Sequence, residues 1–79
     1  MGGWGVDKEL FSDSVQIERK YLSFNLKENQ RGRFIRITED VGGRRDAIVI
    51  PASGLEKVRD ILNQAIEADK AAGSFEENS

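Results

Sequence analysis

Between residues 20 and 50 the chain alternates. Leu22, Phe24 and Leu26 take every second place, with Tyr21, Ser23 and Asn25 between them, and Ile35 and Ile37 do the same against Phe34, Arg36 and Thr38. Successive side chains of a strand point to opposite faces, so period-two spacing predicts strands over residues 20–27 and 33–39. The polar run Glu28-Asn29-Gln30-Arg31-Gly32 joins them as a hairpin turn. Upstream, Phe11, Asp13, Val15 and Ile17 alternate more weakly with Ser12, Ser14, Gln16 and Glu18, which predicts a first strand near 13–18. Gly42-Gly43 reads as a second tight turn, because both residues accept a positive φ. It leads into Ala47-Ile48-Val49-Ile50, apolar on both faces and so expected to be central or covered.

Beyond Pro51, which has no amide to donate to a ladder, the period changes. Leu55, Val58, Ile61, Leu62, Ala65 and Ile66 recur at three- and four-residue spacing, the apolar stripe of an amphipathic helix. Ser53 and Glu56 have capping-box spacing, which predicts that the helix starts there, and Gly73 is a natural stop. The fold class is α+β: a four-stranded antiparallel sheet followed by one C-terminal helix, ββββα. The folded unit spans residues 9–72, between a flexible arm over 1–8 that carries Trp4 and a flexible acidic tail over 73–79. A sheet has two faces and one helix covers one of them, so the other is left for solvent, a ligand or a second chain. At 79 residues the chain is short enough to be marginal alone. Dimerisation would resolve both difficulties.

Composition narrows the chemistry. With no cysteine and no histidine, a disulfide framework and a Cys/His zinc site are excluded. No stretch reaches membrane-spanning length and no secretory pattern stands at the start, so a soluble intracellular protein, in nucleus or cytoplasm if eukaryotic, is expected. Glu39-Asp40 is a tight carboxylate pair, but no nucleophile context or phosphate loop accompanies it, so no catalytic residue, metal or cofactor is assigned. The net charge is −2, yet residues 19–45 hold eight basic against three acidic residues, a local +5. Residues 1–18 come to −3 and 46–79 to −4. A basic hairpin region flanked by acidic elements follows.

In that region Phe34 falls on the face opposite Ile35 and Ile37, among arginines. An exposed ring offers a stacking surface to a nucleobase and guanidinium groups offer charge to phosphate; packing against a partner chain is the other use of such a ring. Lys27 and Arg31 suit phosphates, or stand as solvated turn charges. Asn29 has an amide that reads a purine edge or caps its own turn. Gly32 meets a backbone need, Arg36, on the face of Phe34, is a secondary phosphate candidate, and Arg44 and Arg45 lie at the fringe.

Leu10-Phe11-Ser12, Val15-Gln16-Ile17, Lys20, the run from Phe24 to Glu39, and Ile48-Val49-Ile50-Pro51-Ala52-Ser53-Gly54-Leu55 together resemble one repeat of the PUR family, the Pur-alpha-like purine-rich-element-binding proteins. The resemblance covers about residues 9–68 and is most specific at Lys-x-Asn-x-x-Gly-Arg-Phe, here Lys27 to Phe34. It implies a ββββα repeat, related to the Whirly fold, that intertwines with a second repeat. With one repeat and no internal period, this chain would form a homodimer. It further implies binding of single-stranded DNA and RNA with a preference for purine-rich, G-rich sequence, duplex strand separation in some members, and a role in transcription regulation. The family's contacts would fall on Lys27, Asn29, Arg31 and Phe34, with Arg19 and Lys20 in a second contact region. One departure stands out: many repeats carry two adjacent aromatics followed by Asp, where this chain has Leu22-Ser23 and then Asn25, implying less stacking. Some repeats of the family serve mainly in dimerisation, so a scaffold module that contacts proteins and binds nucleic acid weakly is the alternative.

Overall fold

The computed structural model describes residues 7–73; Trp4 and the stretches expected to be arm and tail, apart from Asp7, Lys8 and Gly73, lie outside them. Four strands, β1 (Lys8–Ile17), β2 (Lys20–Asn29), β3 (Gly32–Val41) and β4 (Arg44–Pro51), are followed by a 3-10 turn (Ala52–Gly54) and helix α1 (Leu55–Ala72). The sheet is an antiparallel meander in the order β1-β2-β3-β4. Each strand is longer than its hydrophobic alternation predicted, because pairing carries polar residues such as Lys8, Asn29 and Arg44 into the ladder. Residues with polar side chains at a strand end still satisfy their backbone groups through the neighbouring strand.

The hairpin turns meet the backbone demands of the sequence. Gly42 and Gly43 have φ of 59° and 92°, and the Gly43 amide donates to Asp40 Oδ1 at 3.0 Å. Between β1 and β2, Glu18 takes φ of 54°, a left-handed conformation that disfavours a residue with a Cβ. The register also slips once, between Glu9 and Phe11, leaving Leu10 as a bulge on the edge strand.

Register decides the faces. Phe11, Leu26, Ile35 and Ile50 form one cross-strand row, and Phe24, Ile37 and Ile48 extend a second beside it. This is the apolar face. On the other, Ser12, Asn25, Arg36 and Val49 make one row, and Ser14, Ser23, Thr38 and Ala47 the next.

Three expectations need correction. The first concerns the helix start: Ser53 lies inside the 3-10 turn, so its backbone is already helical and cannot serve as an extended N-cap. The cap falls on Gly54, which has no side chain, and no side-chain capping bond forms. The C-terminal stop is as predicted, with Gly73 at φ 85° donating its amide to Lys70 O at 3.2 Å.

The second correction is larger. The helix does not cover its own sheet. Pro51 (φ −57°, ψ 143°) turns the chain into the 3-10 segment, which lies against β3, and α1 makes no extensive contact with any strand. An 18-residue helix is about 27 Å long and a ten-residue strand about 33 Å, so laid end to end they span about 60 Å. The molecule measures 57 × 30 × 16 Å with a radius of gyration of 16.3 Å, against roughly 12 Å for a compact chain of this length. No described residue is buried. Ile61 (64% exposed) on the helix and Ile48 (59%) on the sheet stand open. Third, β4, expected to be central or covered, is an edge strand.

Candidate nucleic-acid interface

The polar sheet face is assembled around the β2–β3 hairpin. Phe34 stands directly across from Lys27, and Arg36, two residues on along β3, directly across from Asn25. Because i and i+2 on a strand share a face about 6.6–6.8 Å apart, and neighbouring strands lie about 4.8 Å apart, these four groups form one compact quadrilateral. Phe34 is half-buried rather than free: Pro51 is its partner on β4, and Val49 lies diagonally beside it. Arg36 is exposed and Lys27 partly so.

Ion pairing sorts the basic residues. Lys20 Nζ lies 3.0 Å from Glu39 Oε2, Arg33 Nε 3.2 Å from Glu28 Oε2, and Arg45 Nε 3.2 Å from Asp40 Oδ2. Each pair is surface-exposed and contributes little stability, about 0–1 kcal/mol, but it lowers the local positive potential. Among the described residues no ion pair engages Lys27, Arg31 or Arg36. The first two flank Phe34 and the third lies beside it on β3. Lys27 and Arg36, with Thr38, Ala47 and Arg45, line a shallow concavity that also takes in Asn25 and Asp46.

Asn29 is held in place by its turn. Its Oδ1 accepts the Arg31 amide at 2.8 Å, an Asx-type bond, and its Nδ2 donates to Asp7 Oδ1 at 3.3 Å. Gly32 follows with φ of 136°, and a Cβ placed there would meet nothing within 4 Å, so the glycine answers to conformation alone. The turn thus presents Arg31 outward from a braced backbone.

Of the six residues singled out in the sequence, the structure brings together Lys27, Phe34 and Arg36 on one face, with Asn29 and Arg31 at its rim. Lys20 is not among them. It shares the apolar side with Leu22, across β1–β2 from Ile17, and pairs with Glu39. Arg19 is in the β1–β2 turn, at the far end of the hairpin. Sequence reasoning placed Thr38 on this face, as found, but passed over Asn25, Val49 and Pro51 as members of the site. Asn25 is positioned by Glu9, whose Oε1 accepts its Nδ2 at 3.3 Å. The parity rule would have put Asn25 beside Lys27, but Val49 and Pro51 depend on the β3–β4 register, which no local pattern states. Farther along the face, the Tyr21 hydroxyl donates to Ser14 Oγ at 2.7 Å and continues the polar surface.

The groups offer stacking, amide hydrogen bonds and positive charge, which serve recognition. Among the described residues no three Asp or Glu side chains cluster as metal ligands would, and no helix is long and apolar enough to cross a membrane.

Comparison with known proteins agrees with the geometry. The family model for the PurA ssDNA and RNA-binding protein matches residues 5–79. The chain is 39% identical over 64 residues to the transcription factor Pur-alpha 1 of Arabidopsis thaliana, covering 81% of this chain and 22% of that protein. It is 37% identical over 81 residues to the human purine-rich element-binding protein gamma, covering 86% of this chain and 23% of the relative. To the human transcriptional activator protein Pur-alpha it is 42% identical over 60 residues, 67% of this chain and 18% of that one. The chain therefore spans about a fifth of the curated relatives it matches. With one four-stranded meander, one following helix and a match along nearly its whole length, the chain belongs to the PUR family and carries one ββββα repeat of it.

Proposed function

We propose that this chain binds single-stranded DNA or RNA on its polar sheet face. One observation carries the reading: Lys27 and Arg36, neither engaged in an ion pair among the described residues, flank the ring of Phe34 on one side of the sheet. A single strand presents unstacked bases and a phosphate at each nucleotide, so a π-surface with cations beside it meets both. Arg31 extends the positive track at the rim, and Asn29 braces the turn that presents it. The family description and the purine-rich element named for one relative support the same reading.

The finer parts of the proposal are these. Purine-rich, G-rich strands bind best, because a larger ring system covers more of Phe34. The functional unit is a homodimer in which the apolar sheet face and the stripe of α1 are covered by a second copy. Duplex strand separation follows if Phe34 wedges between adjacent bases, and a role in transcription, in nucleus or cytoplasm, belongs to the same reading.

Fluorescence anisotropy of labelled G-rich and pyrimidine-only single strands at two salt concentrations tests it. Tighter binding of the G-rich strand, loss on Phe34→Ala, and a salt slope reduced by about 1 for each of Lys27→Ala and Arg36→Ala are expected. Equal or absent binding by all variants would make the chain a dimerisation module that contacts proteins. Strand displacement on a short duplex tests the wedge: wild type and Phe34→Ala acting alike would remove it.

A further inference from the structure

Beside Phe34 the polar face carries a small apolar surface that charge and stacking do not account for. Val49 is 58% exposed on the polar face, directly across from Arg36. Pro51, across from Phe34, closes β4 and presents its ring to the same side. Phe34, Val49, Pro51 and the bare backbone at Gly32 line one concavity of about 240 Å³, with Asn29 and Arg31 at its margin. The space over Gly32 is open, since a Cβ there would touch nothing within 4 Å.

We infer that Val49 and Pro51, with Phe34, form a docking shelf for one unstacked nucleobase. The inference rests on the proposed function and names where, on that face, a base is held. The choice of a base over a protein side chain follows from charge: Arg31 borders the shelf on the turn side, Lys27 stands across from Phe34 on β2 and Arg36 across from Val49, so an apolar floor has cations on three sides. A flat, weakly polar ring tethered to an anionic backbone matches that ring of charge; an apolar side chain of a second protein does not. Val49 and Pro51 set an aliphatic surface beside the Phe34 ring that takes the face of any base by contact, while the amide of Asn29 at the rim is already engaged, its Oδ1 by the Arg31 amide and its Nδ2 by Asp7 Oδ1. Selection on the shelf is thereby by ring area, which favours a purine.

Two near-isosteric substitutions test the shelf without disturbing the strand. Val49→Thr exchanges one methyl for a hydroxyl, and Val49→Ile adds one methylene, both keeping a β-branched residue on β4. Anisotropy is read with the same strand carrying either a purine or an abasic site at one scanned position. Val49→Thr is expected to weaken binding by about fourfold and Val49→Ile to strengthen it by a similar factor, the effect of one methyl or methylene of apolar contact. Both effects should vanish on a Phe34→Ala background and with the abasic strand. Light scattering of each variant monitors assembly. If both Val49 variants bind as wild type does while Phe34→Ala binds less, the shelf is refuted and the face binds without it. If Phe34→Ala is also silent, the proposed function itself fails. A change in assembly with no change in strand binding assigns Val49 to a contact between copies and overturns the inference.

Discussion

Replacing Ile61 by Ala should split the proposed dimer while leaving the helix intact. The residue sits mid-helix, 64% exposed, on the stripe shared with Val58, Leu62 and Ile66, and α1 lies on no strand of its own chain. Alanine is the better helix former, so local helicity does not suffer. The substitution removes three carbons, worth about 2.4 kcal/mol if wholly transferred from water. Scaled by the exposed fraction of 64%, each copy loses about 1.5 kcal/mol of burial on assembly. A two-fold interface contains the residue twice, so the loss is about 3 kcal/mol, or a dissociation constant raised by about 150-fold. Sedimentation equilibrium over a range of concentrations reads this directly, with circular dichroism to confirm that the helix remains. Because no described residue is buried in the single chain, the weakened dimer should also unfold at lower urea concentration, and its midpoint should depend on protein concentration. Wild type and Ile61→Ala with the same dissociation constant, or a wild-type chain that is a stable monomer at micromolar concentration, would refute the reasoning.

Lys20→Ala should change the salt dependence of strand binding less than Lys27→Ala does, since Lys20 pairs with Glu39 on the opposite face; anisotropy at two salt concentrations compares them. Glu18→Gly should raise stability by about 1 kcal/mol by relieving a left-handed φ at a residue with a Cβ, read as a shift of the urea midpoint at fixed protein concentration. Asn29→Ala should lower stability by about 1 kcal/mol through loss of the bond from the Arg31 amide, and weaken strand binding through the freed turn, both measurable on one preparation. Gly43→Ala, at φ 92°, should destabilise by about 1–2 kcal/mol, seen as a lower thermal midpoint.

Much of this protein is written in local patterns. Alternation from Tyr21 to Thr38 determined two strands and the face each side chain takes, because the period of a strand is a property of its backbone and needs no partner to be read. Gly42-Gly43 and Gly73 announced their turns through φ alone, and the stripe from Leu55 to Ile66 announced a helix and its apolar side. That Lys27, Phe34 and Arg36 share a face followed from the same parity. What tertiary structure decided is what lies across from what. Pairing extended every strand past its apolar residues, put β4 at the edge, and brought Val49 and Pro51 beside Phe34, since register is fixed between strands and not along one. Ion pairs then set Lys20, Arg33 and Arg45, each paired with a carboxylate, apart from Lys27, Arg31 and Arg36, a sorting that sequence counts as equal charges. The direction of α1 was decided only in three dimensions as well: the turn after Pro51 carries it off the end of the sheet. An amphipathic helix states that it must be covered, while the chain geometry before it states where it points, and so whether its own sheet is within reach.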